Sequence, residues 1–273
     1  MPQVIQMFLV IVDSNVKNVH QVFGMAQMML KKRYSGSALG IIWALVRPTI
    51  YCAVYWFAIS IGIRGSSNLE GVPYILWMIP GIMVWFFISD VLTDSGSSIL
   101  NNRHLVTKMV YPVETIPVSS ALSYFFVHLM MMGIVIAIFI LFGAPVGITI
   151  YLIQLPFYML CGVLLSFVLA VLLSALSAVS KDFKHIIRSL ITALFWLTPV
   201  LWSTSKLPPF VKTIVMANPF SYVVIGYRNC FVSKTWFFQQ GGYTVYFLVV
   251  LALLALLAAF VFHKLKNEFA DVL

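Results

Sequence analysis

The sequence predicts an all-α membrane protein with six transmembrane helices. Of its 273 residues, 62% are hydrophobic and only 9% are charged, and the mean hydropathy is +1.00. Six apolar stretches approach or exceed the roughly 20 residues that a helix needs to cross a bilayer. Because lipid offers the backbone no hydrogen-bond partner, such stretches form helices. The chain is therefore a polytopic membrane protein, and its function lies in the membrane.

The predicted spans divide the chain into two parts. We assign residues 1–38 to a cytoplasmic N-terminal segment and residues 39–273 to a six-span transmembrane domain. The spans cover about residues 39–63, 73–92, 117–142, 148–179, 186–202 and 243–262. The connections between them are short, so they leave no room for a soluble catalytic domain.

The N-terminal segment contains an amphipathic pattern. Apolar residues recur at alternating steps of four and three, at Val12, Val16, Val19, Phe23, Ala26 and Leu30. This spacing places them on one face of a helix. Such a helix either lies along the cytoplasmic headgroups with its apolar face in lipid or packs on the protein's own spans. The sequence leaves both alternatives open.

The basic residues predict the orientation. Eleven Lys and Arg residues fall on the side of the two termini, at Lys17, Lys31, Lys32, Arg33, Arg103, Lys108, Lys181, Lys184, Arg188, Lys264 and Lys266. Five fall on the other side, at Arg64, Lys206, Lys212, Arg228 and Lys234. The excess predicts that both termini are cytoplasmic. The net charge of +9 thus orients the chain in the membrane, and we expect no nucleic-acid partner.

The connection after the fifth span is the longest on the outer side. Its LPPF and NPF prolines, with apolar residues between them, predict short re-entrant helices between the fifth and sixth spans.

Several classes of chemistry lack their motifs. The chain has no phosphate-binding G-x-x-x-x-G-K-[ST] loop, no H-E-x-x-H and no G-x-S-x-G, and its five histidines and three cysteines are scattered. We therefore expect no catalytic residues, no metal and no cofactor in this chain. Of the eight acidic residues, Asp90 comes nearest to the membrane interior, but with Asp94 one turn on it is predicted to be a solvated helix end. The energy for transport is then expected from a cytoplasmic partner.

The connection between the second and third spans fits such a partner. Residues 95–113 combine a polar start, a short apolar helical stretch and a proline stop at Pro112. A short amphipathic helix of this kind can dock in a groove of another protein. The alternative is an ordinary surface loop.

Several motifs carry a family resemblance. They are RYSGSALGIIWALVRP (33–48), NNRHLVTKMVYPVETIPVSS (101–120), SKDFKHIIRSLITALFWLTPVLW (180–202), LPPFVKTIVMANPFSYVVIGYRN (207–229) and the closing HKLKNEFADVL. Together they resemble the membrane subunit of type-2 ABC exporters, and more narrowly the branch that exports O-antigen, capsule or teichoic acid. The resemblance implies a homodimer that works with two copies of a separate ATPase, which binds ATP and Mg²⁺.

The resemblance also implies roles for particular segments. The amphipathic N-terminal helix would be the interface helix, and Leu207 to Asn229 would be the re-entrant helices. The segment from Asn101 to Tyr111 would be the coupling helix that seats in the ATPase. Its candidate contacts are Asn101, Arg103, His104, Leu105, Lys108 and Tyr111.

Aromatic residues suggest how a glycan could be held. Sugar rings stack on aromatic faces, and tyrosine and tryptophan add a polar tip. The candidate channel residues come from the first, second and fifth spans, at Trp43, Tyr51, Tyr55, Trp77, Trp85, Phe86, Phe195 and Trp196. Placement against lipid is the alternative for about half of them. Arg47, inside the first span, either snorkels to the interface or contacts a lipid pyrophosphate.

These observations predict a permease of the bacterial cytoplasmic membrane that exports a lipid-linked polysaccharide or polyol-phosphate polymer with ATP as the energy source. Two alternatives remain. A type-2 ABC exporter of a lipid or drug would share the fold, and an ion-coupled carrier or a membrane scaffold would lack an ATPase partner.

Overall fold

The structure is a computed structural model that describes residues 2–63, 68–108, 111–142, 147–180, 182–205, 207–266 and 268–269, with the side chains of residues 2 and 106–108 left aside. The α-helices are α1 (Pro2–Lys17), α2 (Val19–Tyr34), α3 (Trp43–Trp56), α4 (Tyr74–Asp94), α5 (Ser98–Asn101), α6 (Arg103–Lys108), α7 (Thr115–Phe142), α8 (Leu155–Val179), α9 (Asp182–Leu197), α10 (Pro209–Ala217), α11 (Pro219–Arg228) and α12 (Gly241–Lys266). Two two-residue strands, β1 (Asn68–Leu69) and β2 (Val72–Pro73), form a hairpin. The all-α prediction is thus confirmed.

Short 3₁₀ and π segments extend several of these helices into longer stretches. Five stretches are long and apolar enough to cross a membrane, namely Gly40–Ile63, Tyr74–Asn101, Thr115–Phe142, Ile150–Val179 and Phe237–Lys266. A sixth crossing is possible by length and composition if the bent pair Pro209–Ala217 and Pro219–Ser233 is counted as one span. The polytopic membrane architecture is therefore confirmed, with five or six spans.

The bent pair lies where the sequence predicts short re-entrant helices. Its two parts meet at an angle of 97°. Asn218 between them is extended, with φ −74° and ψ 117°, and its side chain accepts a hydrogen bond from the Phe220 amide. Pro219 fits the first turn of α11 because that position needs no amide donor. The NPF sequence thus ends one helix and starts the next.

The second predicted span is longer than expected, and the predicted fifth span, 186–202, is not among the described helices that are long and apolar enough to cross a membrane. The second helical stretch continues to Asn101, beyond the predicted end at residue 92. Asp94 is exposed and is the last residue of α4, as expected for a solvated helix end, whereas the Asp90 side chain one turn earlier keeps 30% of its surface exposed. The helix α9 covers 182–197 rather than 186–202, and its 16 residues span only about 24 Å. It ends before Pro199, whose ring nitrogen cannot donate a helical hydrogen bond.

The helix α4 forms the centre of the molecule. Most of its residues are buried, and it packs against α3, α7, α8, α9 and α11. This matches its apolar composition on all sides, which predicts a helix surrounded by protein. A second apolar cluster, around Met25, Ile99, Ile116, Phe262 and Phe269, joins α2 and α5 to the nearby ends of α7 and α12. The second cluster anchors the N-terminal helices to the spans.

The N-terminal amphipathic helix is divided at Asn18 into α1 and α2. The helix α1 packs on α12 and α2 on α7, where Val22, Met25 and Ala26 are buried. Val16 and Phe23, from the predicted apolar face, remain exposed. They line an apolar groove of about 580 Å³ between α1, α2 and the spans. Each of the two predicted alternatives thus describes one face of these helices. One face packs on the spans, and the other is apolar and exposed.

Candidate functional site

A charged cavity of about 300 Å³ lies between α2, α3, α4 and α7. Its charged and titratable lining comes from all four helices, at Arg33, Tyr34, Arg47, Asp90, Asp94, Tyr124 and His128. Apolar side chains, among them Trp43, Met83, Phe86 and Phe87, complete the wall. This combination of both charge signs with aromatic rings makes it the most chemically distinctive site in the described part of the chain.

Arg47 and Asp90 form an ion pair across this cavity. Arg47 Nη1 lies 3.2 Å from Asp90 Oδ1, and the pair joins α3 to α4. The Arg47 side chain keeps 61% of its surface exposed and Asp90 keeps 30%. Neither predicted role of Arg47, snorkelling or phosphate contact, included this partner. The pair leaves most of the guanidinium accessible from the cavity.

Arg33 brings α2 into the same network. Its Nη2 donates to the Ser123 hydroxyl at 2.9 Å, and its Cζ lies 3.4 Å from the centroid of the Tyr124 ring. The Tyr124 hydroxyl donates in turn to the Asp94 carboxylate. Arg33 Nη1 is buried and has no hydrogen-bond partner in the structure. This guanidinium therefore retains an unused donor next to the cavity.

Two neutral groups complete the polar wall. Burial raises the pKa of the Tyr34 phenol above its ordinary value, against the opposing effect of Arg33, so Tyr34 stays uncharged. His128 is buried deeper, with Nε2 at 2.8 Å from the Tyr227 hydroxyl and its ring stacked on Phe87. His128 thus ties α7 to α11 and not to a ligand-binding cluster. Among the described residues, no group of three or more His, Cys, Asp or Glu is placed to hold a metal ion.

Five of the predicted channel residues form a continuous set of ring contacts, which we call the aromatic track. Its members are Phe86, Tyr51, Tyr55, Phe195 and Trp196. The successive ring centroids lie 5.8, 6.1, 5.5 and 5.3 Å apart. Tyr51 and Trp196 are exposed by 43% and 58%, so part of the track lies at the surface of the subunit. The track begins at the charged cavity, because Phe86 lines both.

The other three predicted channel residues lie elsewhere. Trp43 is exposed at the entrance of the charged cavity. Trp77 and Trp85 are 2% and 3% exposed and belong to the core around α4. Trp85 contacts Phe195, with 5.8 Å between the ring centroids, but it does so from the buried core. Trp77 lies against Arg228. The sequence could not separate these residues because α4 is apolar on every side.

The predicted coupling segment forms α5, a turn at Asn102 and α6. Asn101, Arg103 and His104 are exposed, whereas Leu105 is half-buried against the second apolar cluster. The Tyr111 hydroxyl donates to the Met25 sulfur at 3.1 Å. The side chain of Lys108 lies outside the described residues. Tyr111 thus contacts the protein's own N-terminal helix and Leu105 packs on the second apolar cluster, while Asn101 and His104 remain exposed.

Sequence reasoning missed two charged residues that are buried. Glu114 is 5% exposed, and Lys266 Nζ lies 2.5 Å from its Oε1, so it fixes the end of α12 to the start of α7. Arg228 is 3% exposed and was counted among the cations of an outer loop. The signal for Arg228 was its position in the apolar segment VVIGYRNCFV, where a cation needs specific partners.

Comparison with known proteins agrees with this architecture. The family model described as "ABC-2 type transporter" matches residues 20–232. An "O-antigen export system permease protein RfbA" of Klebsiella pneumoniae is 23% identical over 89% of this chain and 91% of its own length. A protein of the same name from Myxococcus xanthus is 24% identical over 94% of this chain and 98% of its own.

A third relative, the "Inner membrane transport permease YadH" of Escherichia coli, is 26% identical over 70% of this chain and 77% of its own length. The match to the family model runs from α2 to the π segment after α11, and so includes the charged cavity, the aromatic track and the bent pair. The chain is a multi-pass membrane protein that belongs to the ABC-2 type transporter family.

Proposed function

We propose that this chain is the membrane subunit of an ATP-driven exporter that moves a lipid-linked polysaccharide or polyol-phosphate polymer across the cytoplasmic membrane. The observation that carries the proposal is the continuity between the charged cavity and the aromatic track. Arg47 lies one helical turn before Tyr51, so a charged head and a stacking surface follow each other along α3. The names of the relatives from Klebsiella pneumoniae and Myxococcus xanthus point to the same class of substrate.

The aromatic track fits a polymer that must slide. Stacking of a sugar ring on an aromatic face is weak and repeats with each sugar unit. Tyr51 and Tyr55 present hydroxyls beside their ring faces, and Trp196 presents an indole edge. A row of equivalent weak contacts holds a glycan at many positions and stops it at none. A site for one small drug would need a single deep pocket instead.

The charged cavity fits the phosphate of a lipid anchor. Arg33 Nη1 has an unused donor, and the guanidinium of Arg47 is largely accessible beside Asp90. Guanidinium groups bind phosphate oxygens through paired charge-assisted hydrogen bonds. Asp90 and Asp94 balance the two arginines in the empty cavity, so an anion would bind by replacing a carboxylate as the partner of a guanidinium. The lipid tail would lie outside, against the exposed apolar side of α3.

We propose that export requires protein partners in addition to a single copy of this chain. We propose a homodimer that brings two copies of the exposed faces of α3 and α9 together, including Tyr51 and Trp196. We further propose a separate ATPase, present in two copies, that binds ATP and Mg²⁺ and contacts Asn101 and His104. Both termini would lie in the cytoplasm, as the distribution of basic residues predicts. The chain itself would carry no cofactor.

A lipid or drug exporter of the same family is the second candidate. The relative from Escherichia coli, whose name states no substrate, keeps this alternative open. Membership of the ABC-2 family argues against an ion-coupled carrier.

The deciding experiment is depletion of this chain in its native cell. We expect lipid-linked polymer to accumulate at the inner leaflet and to disappear from the surface, and copurification of the permease to recover an ATPase. Normal surface polymer after depletion, with loss of export of a small lipid or drug, would replace the proposal by the second candidate.

A further inference from the structure

Arg228 is a buried cation held by main-chain oxygens. Its Nε donates to the Trp77 carbonyl at 3.3 Å, while Nη1 and Nη2 donate to the carbonyls of Pro199 and Val200. Its Cζ lies 3.6 Å from the centroid of the Trp77 ring. The rigid guanidinium thus joins three parts of the chain. Arg228 belongs to α11, and its side chain binds α4 and the turn that follows α9.

The site has no spare room. A Cβ placed at Gly81 would lie 2.7 Å from Arg228 Nη2, which is closer than such a contact allows. Burying a cation costs several kcal/mol unless every donor finds an acceptor, so these carbonyls are needed to keep Arg228 inside. The absence of a side chain at Gly81 thus leaves the space against α4 that the guanidinium occupies.

Other polar contacts converge on the same turn. The Tyr74 hydroxyl donates to the Leu201 carbonyl at 2.8 Å, and Asn218 Nδ2 donates to the Thr198 hydroxyl at 2.9 Å. Ser203 donates to Glu70, whose carboxylate also accepts from the Trp77 indole. Residues 198–203 are therefore held by contacts from α4, from the β1–β2 hairpin, from Asn218 and from α11.

The helix α9 itself is weakly attached by comparison. Ile187 is its only fully buried residue among those described. Helices with few buried apolar contacts move more easily than core helices. The position of α9 thus depends on the turn at its C-terminal end, where Arg228 donates hydrogen bonds to the carbonyls of Pro199 and Val200.

From this arrangement we propose that Arg228 is a positioning residue for transport: it holds the C-terminal end of α9 as a fixed pivot, so that Phe195 and Trp196 stay in line with Tyr55. The predicted topology places this end at the outer side, where an exported polymer leaves. The meaning of this pivot for export rests on the function proposed above. The pivot itself is a property of the subunit and can be tested without substrate.

The test compares Gly81→Ala, Arg228→Met and the double variant. Gly81→Ala forces the guanidinium away from its carbonyls, whereas Arg228→Met removes it and frees the space that the new methyl needs. Gly133→Ala is the matched control, because a Cβ at Gly133 in α7 meets nothing within 4 Å. The readout is the rate at which a cysteine introduced by Phe195→Cys reacts with N-ethylmaleimide in detergent. The three native cysteines, which are all buried, are replaced beforehand.

We expect labelling to rise about tenfold in Gly81→Ala, which corresponds to about 1.4 kcal/mol in the opening equilibrium. Arg228→Met should give a similar rise, the double variant no further rise, and Gly133→Ala none. Additive effects in the double variant, or unchanged labelling in Gly81→Ala, would overturn the proposal. If Arg228→Met fails to insert, the comparison of labelling between Gly81→Ala and Gly133→Ala is sufficient to test the proposal.

Export measured in the same variants separates this inference from the proposed function. Increased labelling in Gly81→Ala, together with no polymer export by the wild-type permease, would support the pivot and overturn only the proposed function. Unchanged labelling in Gly81→Ala, together with normal polymer export by the wild-type permease, would overturn the pivot and support the proposed function.

Discussion

Arg47 Nη1 lies 3.2 Å from Asp90 Oδ1, and this contact joins the first span to the second at the edge of the charged cavity. Both residues also line that cavity. A cation that pairs with a carboxylate in the protein and also faces a cavity can exchange one partner for another. The contact therefore bears on both stability and substrate binding, and the two effects can be separated.

Arg47→Gln should lower export much more than it lowers stability. The pair is partly exposed, so its loss should change the free energy of unfolding by only about 0–1 kcal/mol. The loss of a phosphate contact would slow export per inserted permease. The double exchange Arg47→Asp with Asp90→Arg rebuilds the ion pair on the opposite helices. We expect this double variant to recover stability but not export. Full recovery of export would show that Arg47 and Asp90 contribute only through their contact with each other and not through a phosphate contact.

His104→Glu together with Asn101→Glu should impair coupling to the ATPase without unfolding the chain. Both side chains are exposed on the segment that is proposed to dock, and added negative charge changes only the docking surface. We expect loss of permease-stimulated ATP hydrolysis with normal insertion. Stimulation at the wild-type level would show that α5 and α6 do not contact the ATPase.

Leu105→Asp is a less selective change in the same segment. Leu105 packs on the second apolar cluster, so a buried carboxylate there costs stability as well as docking. We expect reduced levels of inserted protein for this variant. Wild-type levels and wild-type stability would contradict the packing of Leu105 against the second apolar cluster.

Much of the fold followed from composition because span length and hydropathy act locally. The limits of the spans were less predictable. The helix α9 stops at Leu197 because of Pro199, yet the apolar residues after it, Val200 and Leu201, extend the hydropathy signal through a turn. Apolar residues in a buried turn and in a span look the same in one sequence.

The candidate site was predictable in part. Tyr51 and Tyr55, one turn apart on one helix, were found correctly as neighbours, since their spacing fixes their contact. The contacts of Arg33 with Tyr124 and of Arg228 with Pro199 join residues that are 91 and 29 positions apart. Such contacts depend on how the helices pack, and a helix as uniformly apolar as α4 gives no sign of which side faces which neighbour.

Glu114→Gln should destabilise the chain by about 1–2 kcal/mol, because Glu114 is buried and its partner Lys266 is only partly exposed. Asp13→Asn is the matched control. It removes the same type of ion pair from Lys17, but both side chains there are largely exposed, so the change should stay within about 0.5 kcal/mol. Thermal unfolding in detergent compares the two. Equal effects would show that burial does not strengthen the Glu114 contact.

Cysteine labelling tests the predicted orientation. In a background without the native cysteines, Ser205→Cys should react with a membrane-impermeant thiol reagent in intact cells. Asn101→Cys should react only after the membrane is opened. Both positions are exposed in the structure, so access to the reagent depends on the side of the membrane. Labelling of Asn101→Cys in intact cells would reverse the orientation.

The aromatic track makes the most direct prediction about the substrate. Replacing Tyr51, Tyr55 or Trp196 by Ala removes one stacking surface, worth about 0.5–1.5 kcal/mol beyond the area it buries. We expect slower export of long polymer in each Ala variant, and a smaller loss with Phe, because the ring face remains. Export must be measured per inserted permease to remove effects on stability.

Trp43 provides the control for this series. It is exposed to a similar degree as Tyr51, 45% against 43%, but it has no ring contact with the track in the described structure. Trp43→Ala should therefore change export of long and short polymers by the same factor, whereas the track variants should affect the long polymer more. A contact that repeats along the polymer acts once for every sugar unit that passes, so its loss accumulates with length. Unchanged export per inserted permease in all three Ala variants would eliminate the track as a glycan path.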